Sequence, residues 1–356
     1  MGYLTALKTR KTQSGSPITL MNLGFDFNQQ TGLLQSRSNS VFNWNESFSY
    51  DDLERLTGFI DNTGNNSQQY DNMGRITENS MIGDYGYTGS SFQQASLTFN
   101  TKGTAYYNNL DQQTISYNAF NKPIEINEYG KDRVSFQYNA FEGRSNMYYG
   151  GTQSNKNQRR YQKHYSANGK MEVKFDSQSN KTTFVTYIGG DAYYAPLIFH
   201  EEKGSSTVSN YFYLHRDYLG SILSITDSNG NFKKKRHFDA WGKIVKLTDG
   251  NNNNLTSFNI LDRGYTGHEH LLGVGIIHMN GRLYDAMLHR FLSPDNYVQD
   301  PSNPLNFNRY SYVLNNPLIY IDVNGEFWHI VIGAVVGGLV NLAVKAVQGK
   351  IHNWKD

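Results

Sequence analysis

The side chains best able to do chemistry are concentrated between residues 264 and 325. Four short motifs rich in histidine, arginine and aspartate lie there, at residues 264–269, 281–285, 290–295 and 315–325. Two carboxylates held close together cannot both ionise, so one can stay protonated to polarise a carbonyl while the other activates water. A neighbouring guanidinium would stabilise the negative charge. These residue types allow acid–base hydrolysis if the fold brings them together.

Metal binding is a second chemistry that the same stretch allows. His268 and His270 are spaced so that a strand would point both rings to one face, and His278 follows shortly after. The chain has no cysteine, which excludes disulfides and thiolate metal sites. No carboxylate completes the histidines at a defined spacing, so we expect neither a metal nor a cofactor.

The order of the four motifs resembles the RHS-repeat-associated core domain. That domain closes the β-shell of RHS toxins and of the C components of insecticidal Tc complexes. The resemblance implies that the chain cuts itself once after the core, by aspartyl-protease-like chemistry. It assigns the reaction to Arg282, Asp295 and Asp322. It places the cut in the stretch formed by Gly325, Glu326 and Phe327.

The chain departs from the family pattern at three places. Val323 replaces the usual proline, Glu326 stands where many members have leucine, and the loop at 296–305 holds the extra residues between the two aspartates. A non-catalytic interpretation also stays open. In it, Asp322 only caps a turn, and Arg282 pairs with Asp285 or Asp295.

A recurring unit precedes the core: an aromatic residue, then Asp or Asn, two or three variable residues, and usually Gly followed by a basic or aliphatic residue. The unit predicts a hairpin in which Asp or Asn accepts amide hydrogen bonds and Gly supplies the positive φ. Where Glu54 or Asn121 replaces Gly, the turn must differ or carry strain. The copies resemble the YD repeats of RHS and teneurin proteins. The turn residues of the clearest copies are Asp71, Gly74, Asp239 and Gly242.

Composition favours a mainly β protein, because 26 Tyr, 20 Phe and 33 Gly are typical of strands joined by tight turns. We expect a curled, spiralling antiparallel sheet of YD hairpins, as part of an RHS β-cocoon, with a C-terminal core plug and a short apolar helical tail. The expected domains are 1–210 (repeat sheet), 211–325 (core) and 326–356 (variable C-terminal segment). The net charge of +2 gives no case for nucleic acid, and the basic run 233–236 is predicted to be a solvated hairpin edge.

After the core, residues 327–344 form an apolar segment that reaches the lower length limit of a membrane span. Residues 327–344 allow two interpretations. We favour the first, in which they begin a cargo segment that the shell encloses. In the second, they form a helix that contacts a membrane. The 31 residues after Gly325 are too few for an independently folded enzyme.

The expected function is therefore that of a carrier, the shell-closing part of a toxin-delivery or encapsulation protein. Its expected partners are a C-terminal toxin or cargo segment, the remaining shell or secretion apparatus, and an immunity protein. No secretory signal is visible at the start, yet the family implies a secreted or cell-surface location. The alternative from another class is a non-catalytic surface adhesion module, whose aromatic repeats bind glycan or protein.

Overall fold

A computed structural model describes residues 2–13, 15–107, 112–326 and 328–330 of the chain. In these residues the fold is almost entirely antiparallel β, which confirms the predicted fold class. Two large open sheets carry most of the strands, and in each sheet the strand order is the chain order. The strand order is therefore the one expected for a sheet of successive hairpins.

The first large sheet is built from the N-terminal third of the chain. Its strands are β1 (Ala6–Gln13), β2 (Ser16–Phe27), β3 (Leu34–Asn39), β4 (Trp44–Tyr50), β5 (Leu56–Asp61), β6 (Gly64–Tyr70), β7 (Ile76–Asn79), β8 (Gly83–Tyr87) and β9 (Gln94–Phe99). A short helix, α1 (Thr101–Tyr107), follows the last strand.

The second large sheet is longer. Its strands are β10 (Gln113–Tyr117), β11 (Pro123–Glu128), β12 (Asp132–Tyr138), β13 (Arg144–Tyr149), β14 (Tyr161–Tyr165), β15 (Met171–Asp176), β16 (Lys181–Ile188), β17 (Leu197–Lys203), β18 (Thr207–Arg216), β19 (Ile222–Thr226), β20 (Phe232–Phe238) and β21 (Ile244–Asp249). The predicted boundary at residues 210 and 211 falls inside β18, and the domain division stays a prediction.

The core segment forms two small sheets. They contain β22 (Glu269–Leu271), β23 (Ile276–Met279), β24 (Arg282–Asp285) and β25 (Arg290–Phe291), and then β26 (Tyr320–Asp322) and β27 (Trp328–Ile330). Single 3₁₀ turns lie at Lys156–Gln158, Tyr265–Gly267, Pro304–Phe307 and Val313–Asn315. The main chain of 328–330 is thus a strand, and the rest of the apolar segment 327–344 lies outside the described residues.

The repeat unit forms the predicted hairpin turn. Asp71 Oδ1 accepts hydrogen bonds from the amides of Met73 and Arg75, both at 2.9 Å, and Gly74 has φ +76°. Asp239 and Gly242 form the same turn.

Non-glycine residues adopt the same turn in other copies. Glu54 and Asn121 take positive φ values of 60° and 59°. Of the two outcomes expected there, the structure shows the unchanged turn, in a backbone region that costs L-residues energy.

Neighbouring repeats are tied together by the residues that flank each turn. The Tyr70 hydroxyl donates to the carbonyl of Leu56 at 2.7 Å, and the guanidinium of Arg55 lies over the Tyr70 ring at 4.5 Å. The same pair of contacts recurs one repeat later, where Arg75 lies over Tyr87. The aromatic and basic positions of the unit therefore stack each hairpin on the next one.

The core segment is seated on main-chain atoms of these turns. The Asn308 side-chain amide donates to the carbonyl of Gly74 at 2.8 Å, and that of Asn316 donates to the carbonyl of Glu54 at 2.7 Å. Large aromatic residues of the core fill the space beside the sheets, and Tyr265, Tyr284 and Tyr312 are almost completely buried. The core thus packs against turns of the first sheet.

A buried group of charged side chains joins the core to the second sheet. Lys163 Nζ lies 2.8 Å from Glu172 Oε2 and also pairs with Glu269 of β22. Arg144 reaches Glu269 at 2.5 Å, and Arg263 reaches Glu172 at 2.6 Å. We call these five residues the sheet–core ion cluster. Each cation has a carboxylate partner, as buried charges require.

The prediction that the basic run 233–236 is solvated was wrong for three of its four residues, because only Lys233 is exposed. These residues lie in β20, an interior strand, and Lys234, Lys235 and Arg236 are all buried. Arg236 lies 3.8 Å from the centroid of the Phe258 ring and donates to the carbonyl of Leu261. The buried charge of Arg236 is tolerated because an aromatic ring face and carbonyl oxygens surround its guanidinium.

Candidate functional site

The structure brings Arg282, Asp295 and Asp322 together. Arg282 opens β24, Asp322 ends β26, and Asp295 lies in the loop after β25. One nitrogen of Arg282, Nη2, is 3.0 Å from Asp295 Oδ2 and 3.1 Å from Asp322 Oδ2. All three side chains are buried, with relative exposures of 7, 6 and 2%. Two carboxylates thus meet at a single cationic nitrogen.

The remaining donors of Arg282 fix the guanidinium in place. Nη1 donates to the carbonyl of Arg309 at 3.0 Å, and Nε donates to the carbonyl of Gly325 at 2.5 Å. The guanidinium carbon lies 3.6 Å from the centroid of the Phe291 ring. Burial lowers the pKa of Arg282, and the two aspartates oppose that effect. A guanidinium stays charged in such surroundings.

The two aspartates have different surroundings. Asp322 Oδ1 accepts hydrogen bonds from the amides of Gly325 and Glu326, at 2.7 and 3.1 Å, and these bonds stabilise its ionised form. Asp295 Oδ1 accepts from the amide of Tyr297 at 3.0 Å. Burial raises the pKa of Asp295, although Arg282 opposes the increase. Asp322 therefore accepts two main-chain amide bonds through one oxygen, whereas Asp295 accepts one and has its pKa raised by burial.

A cavity of about 30 Å³ adjoins the carboxylates. Arg282, Asp295, Gln299, Arg309 and Asp322 are among the residues that line it. Its volume is sufficient for a water molecule, and polar atoms line it. The reactant that hydrolysis requires can therefore be held beside both aspartates.

The turn after Asp322 is held from the opposite side by side chains of the core. The carbonyl of Val323 accepts from His268 Nε2 at 3.1 Å and from Asn280 Nδ2 at 2.9 Å. Burial lowers the pKa of His268 to about 3, so its ring is neutral and the Nε2 proton is available for this bond. The contact is made to the main chain and does not depend on the side chain at position 323.

The three histidines do not form a metal site. His270 Nε2 accepts from the amide of Tyr265, and His278 Nδ1 accepts from the amide of Asn280. With His268 engaged by the Val323 carbonyl, each ring uses a nitrogen in a local hydrogen bond. Within the described ranges, no three His, Asp or Glu side chains are grouped so that they could hold a metal ion.

Of the predicted cleavage stretch, Gly325 and Glu326 lie in the site. The Gly325 carbonyl contacts Arg282, and Glu326 Oε1 forms an ion pair with Lys122 Nζ at 2.8 Å. The carbonyl of Glu326 accepts from Gln299 Nε2 at 2.6 Å. Phe327 lies outside the described residues.

Sequence reasoning did not identify Gln299, His268 or Lys122 as parts of this site. Gln299 lies in the loop that was noted only for its extra length, and His268 was considered only as a metal ligand. Lys122 follows a repeat turn, far from the core in sequence. The length of the 296–305 loop was the one available signal, because an extra loop beside a site often carries functional side chains.

The repeat turn residues Asp71, Gly74, Asp239 and Gly242 are placed elsewhere, in hairpins of the two large sheets. In the part of the chain that the structure describes, no helix is long and apolar enough to cross a membrane. The alternative of membrane contact by 327–344 falls almost wholly outside those residues.

Comparisons with known proteins confirm the resemblance to RHS and YD-repeat proteins. The family model described as the teneurin YD-shell matches residues 205–318. A tRNA3(Ser)-specific nuclease, WapA of Bacillus spizizenii, is 26% identical over 166 residues, which are 46% of this chain and 6% of that protein. Human teneurin-4 is 31% identical over 110 residues, covering 30% of this chain and 4% of its own length.

Solved structures share the fold. The Tc holotoxin pore of Photorhabdus luminescens matches 90% of this chain with a TM-score of 0.70 at 16% identity, over 17% of its own chain. The crystal structure of TcdB2-TccC3 without its hypervariable C-terminal region matches with a TM-score of 0.67 at 14% identity, again over 17% of that chain. This chain therefore has the shell fold of these proteins and spans less than a fifth of their length.

Proposed function

We propose that this chain is the C-terminal, shell-closing part of an RHS-repeat toxin-delivery protein and that it cuts its own main chain once after the core. The cut would release the C-terminal segment. The observation that carries the proposal is the position of Arg282, whose Nη2 contacts both Asp295 and Asp322 while its Nε binds the carbonyl of Gly325. Catalytic groups and the candidate substrate are thus joined by one side chain.

The reaction follows from the different surroundings of the two aspartates. Asp322, stabilised as an anion, takes a proton from a water molecule in the adjoining cavity, and the oxygen of that water attacks a carbonyl carbon of the 325–327 stretch. Asp295, with its raised pKa, supplies a proton to the leaving amide nitrogen. Arg282 neutralises the charge that develops near the pair.

Intact-mass measurement of the full chain after synthesis tests this proposal. We expect the wild type to yield two fragments that meet between residues 325 and 327, and Asp295→Asn and Asp322→Asn to stay whole, because asparagine keeps the volume and loses the acid–base chemistry. Asp285→Asn is the matched control, since Asp285 lies on β24, as Arg282 does, but caps a different turn, at Met287 and Leu288. An uncut wild type, or cutting that persists in both site variants, would refute self-cleavage.

The partners and location follow from the same proposal. We infer that the C-terminal segment is a toxin or its remnant, that the remaining shell or a secretion apparatus joins this chain, and that an immunity protein accompanies the toxin. Location would be secreted or at a cell surface. The coverage of the Tc structures supports the second inference, because the matched region is 17% of a longer chain. Co-purification with the flanking shell segment tests it.

One observation favours the second candidate, a binding module. Tyr211 and Tyr213 on β18 are 51 and 43% exposed, and the Phe199 ring of β17 lies 5.1 Å from that of Tyr211. An exposed aromatic surface of this kind can stack on a sugar or a protein. A single uncut species that binds glycan, and loses binding in Tyr211→Ser, would favour this function instead.

A further inference from the structure

Three departures from the expected sequence patterns meet at one place in the structure. Asn121, which replaces the usual glycine of a repeat turn, lies in the turn at 118–122 that joins β10 to β11. The loop at 296–305, with its extra residues, contacts this turn. So does Glu326, which stands where many RHS members have leucine. One repeat turn of the second sheet therefore reaches the segments that carry both aspartates.

Two hydrogen bonds hold the segment that carries Asp295. Asn121 Nδ2 donates to Asn296 Oδ1 at 2.7 Å, and Asn296 Nδ2 donates to the carbonyl of Phe120 at 3.3 Å. Asn296 lies between Asp295 and Tyr297, and the amide of Tyr297 donates to Asp295 Oδ1 at 3.0 Å. Fixing Asn296 therefore fixes the amide that caps Asp295.

An ion pair holds the segment that carries Asp322. Lys122 Nζ lies 2.8 Å from Glu326 Oε1 and 3.5 Å from Glu142 Oε2. The Lys122 side chain is only 9% exposed, so salt screens the pair with Glu326 little. The amide of Glu326 donates to Asp322 Oδ1 at 3.1 Å. Lys122 therefore fixes the residue whose amide caps Asp322.

We propose that Lys122 and Asn121 are positioning residues for self-cleavage, because the 118–122 turn holds the capping amides of both aspartates. The inference rests on the proposed self-cleavage and adds the part of the second sheet on which it depends. Small displacements of reacting groups lower a rate strongly, so a shift of this turn would slow the reaction. The carboxylates would then be aligned only when the β10–β11 hairpin is in place.

Lys122→Met keeps the apolar stem of the side chain and removes its charge. We expect the rate of cutting to fall about 10- to 100-fold, as for the loss of one hydrogen bond to a charged group. Lys122→Arg keeps a cationic donor and should restore most of the rate. Lys131→Met is the matched control, because Lys131 pairs with Glu128 at 3.1 Å beyond the other end of β11 and is about half exposed. The rate of this control should not change.

Glu326→Gln tests whether Lys122 acts through Glu326. The neutral amide keeps an oxygen that can accept from Lys122, so we expect a smaller loss of rate than in Lys122→Met. The double variant should be about as slow as Lys122→Met alone, because the second change removes no further interaction. If Lys122 only stabilised the sheet, the two losses would multiply.

Asn121→Gly tests the contact with the Asp295 segment. Asn121 has a φ of 59°, which glycine adopts without strain, so the turn keeps its shape while the bond to Asn296 is lost. Both partners are exposed, and we expect a fall in rate of about two- to tenfold. Asn180→Gly is the matched control, since Asn180 also has a positive φ, 50°, in the turn between β15 and β16. It should leave the rate unchanged.

The measurement is the first-order loss of the full-length chain after cell-free synthesis is stopped, followed by intact mass. Melting temperatures are compared in the uncut Asp295→Asn background, where all these variants should lie within a few degrees of one another. Support consists of slow Lys122→Met and Asn121→Gly variants, rescue in Lys122→Arg and unaffected controls.

Three results would overturn the positioning role while self-cleavage stands. They are an unchanged rate in Lys122→Met, equal losses in Lys122→Met and Lys131→Met, and losses that multiply in the double variant with Glu326→Gln. A wild type that is never cut would overturn both this inference and the proposed self-cleavage.

Discussion

Gly325 lies directly against Gly281, and neither position has room for a side chain. A Cβ on Gly281 would be 3.1 Å from the Gly325 oxygen, and one on Gly325 would be 1.9 Å from the carbonyl oxygen of Met279. Gly281 also donates its amide to the carbonyl of Asn324 at 2.9 Å. This main-chain contact places the turn after Asp322 beside Arg282, and the Gly325 carbonyl therefore lies within hydrogen-bonding distance of the guanidinium.

Replacing Gly325 with alanine should therefore abolish cutting and destabilise the core. The new methyl group meets the main chain of Met279, which cannot move aside as a flexible side chain would. Gly220→Ala is the control, because Gly220 also has a positive φ, +86°, but has open space around it. We expect Gly220→Ala to cost about 1–2 kcal/mol of backbone strain and to leave cutting intact. Melting temperature and intact mass, measured together, check both expectations.

His268 should act as a positioning residue for the Asp322 turn. His268→Ala removes one of two donors to the Val323 carbonyl, and a loss of about tenfold in cutting rate, or about 1.4 kcal/mol, is expected. His268→Gln retains an N–H donor and should restore most of the rate. His200→Ala, which removes a buried histidine that packs on Phe212 in the second sheet, should lower the melting temperature without slowing the cut. Equal rates in His268→Ala and the wild type would contradict this role.

The sheet–core ion cluster should be a large single contributor to stability. Lys163→Met leaves Glu172 and Glu269 each without one cationic partner in a buried setting, and should cost about 3–5 kcal/mol. Lys181→Met is the comparison, since Lys181 pairs with Glu202 at 2.8 Å on the surface, and we expect an unchanged unfolding midpoint there. Urea unfolding with a constant m-value measures both. A small effect of Lys163→Met would show that the cluster is dispensable.

Asp239 should make the fold less stable as the pH rises. Burial raises the pKa of Asp239 to about 7, and its Oδ2 has no hydrogen-bond partner among the described residues. Since the unfolded pKa is about 3.9, the folded state holds an extra proton between roughly pH 4 and 7, and stability is lost across that window, on the order of 4 kcal/mol.

Thermal unfolding of Asp239→Asn from pH 4 to 8 tests this linkage. The melting temperature of the variant should rise relative to that of the wild type as the pH increases from 4 to 7, and the difference should then level off. Asp71→Asn is the matched turn variant, and it should be destabilised at pH 7 because it loses the 2.6 Å ion pair with Arg75. A pH-independent difference between Asp239→Asn and the wild type would rule out the linkage.

The repeat hairpins were predictable because their geometry is local. Asp71 and Gly74 determine their turn through hydrogen bonds that span four residues, so composition and spacing carry the information. The meeting of Arg282 with Asp295 and Asp322 could be expected only through resemblance, because their contacts depend on how two separate strands and a loop are arranged. Their catalytic roles stay a prediction.

Other features could not be read from the sequence for a physical reason. Arg236 was expected in solvent because its run of charges resembles an edge strand, and nothing local shows that β20 is interior. Lys163 and Glu269 lie 106 residues apart, and no pattern in either segment indicates the pair. Gln299 reaches the site by donating to the main-chain oxygen of Glu326, and any sequence supplies such an oxygen.

The order of the strands has a consequence for the timing of the reaction. After the first strand of each large sheet, every strand pairs with the one made just before it, so the sheets can grow while the chain is being synthesised. The contacts that seat the core are different, since Asn316 and Glu54 are 262 residues apart. Loop closure on that scale comes late. Arg282 and its two aspartates would then assemble only on a finished shell, and a pulse-labelled chain would show its cut after the last residue of the core has emerged and docked, never before.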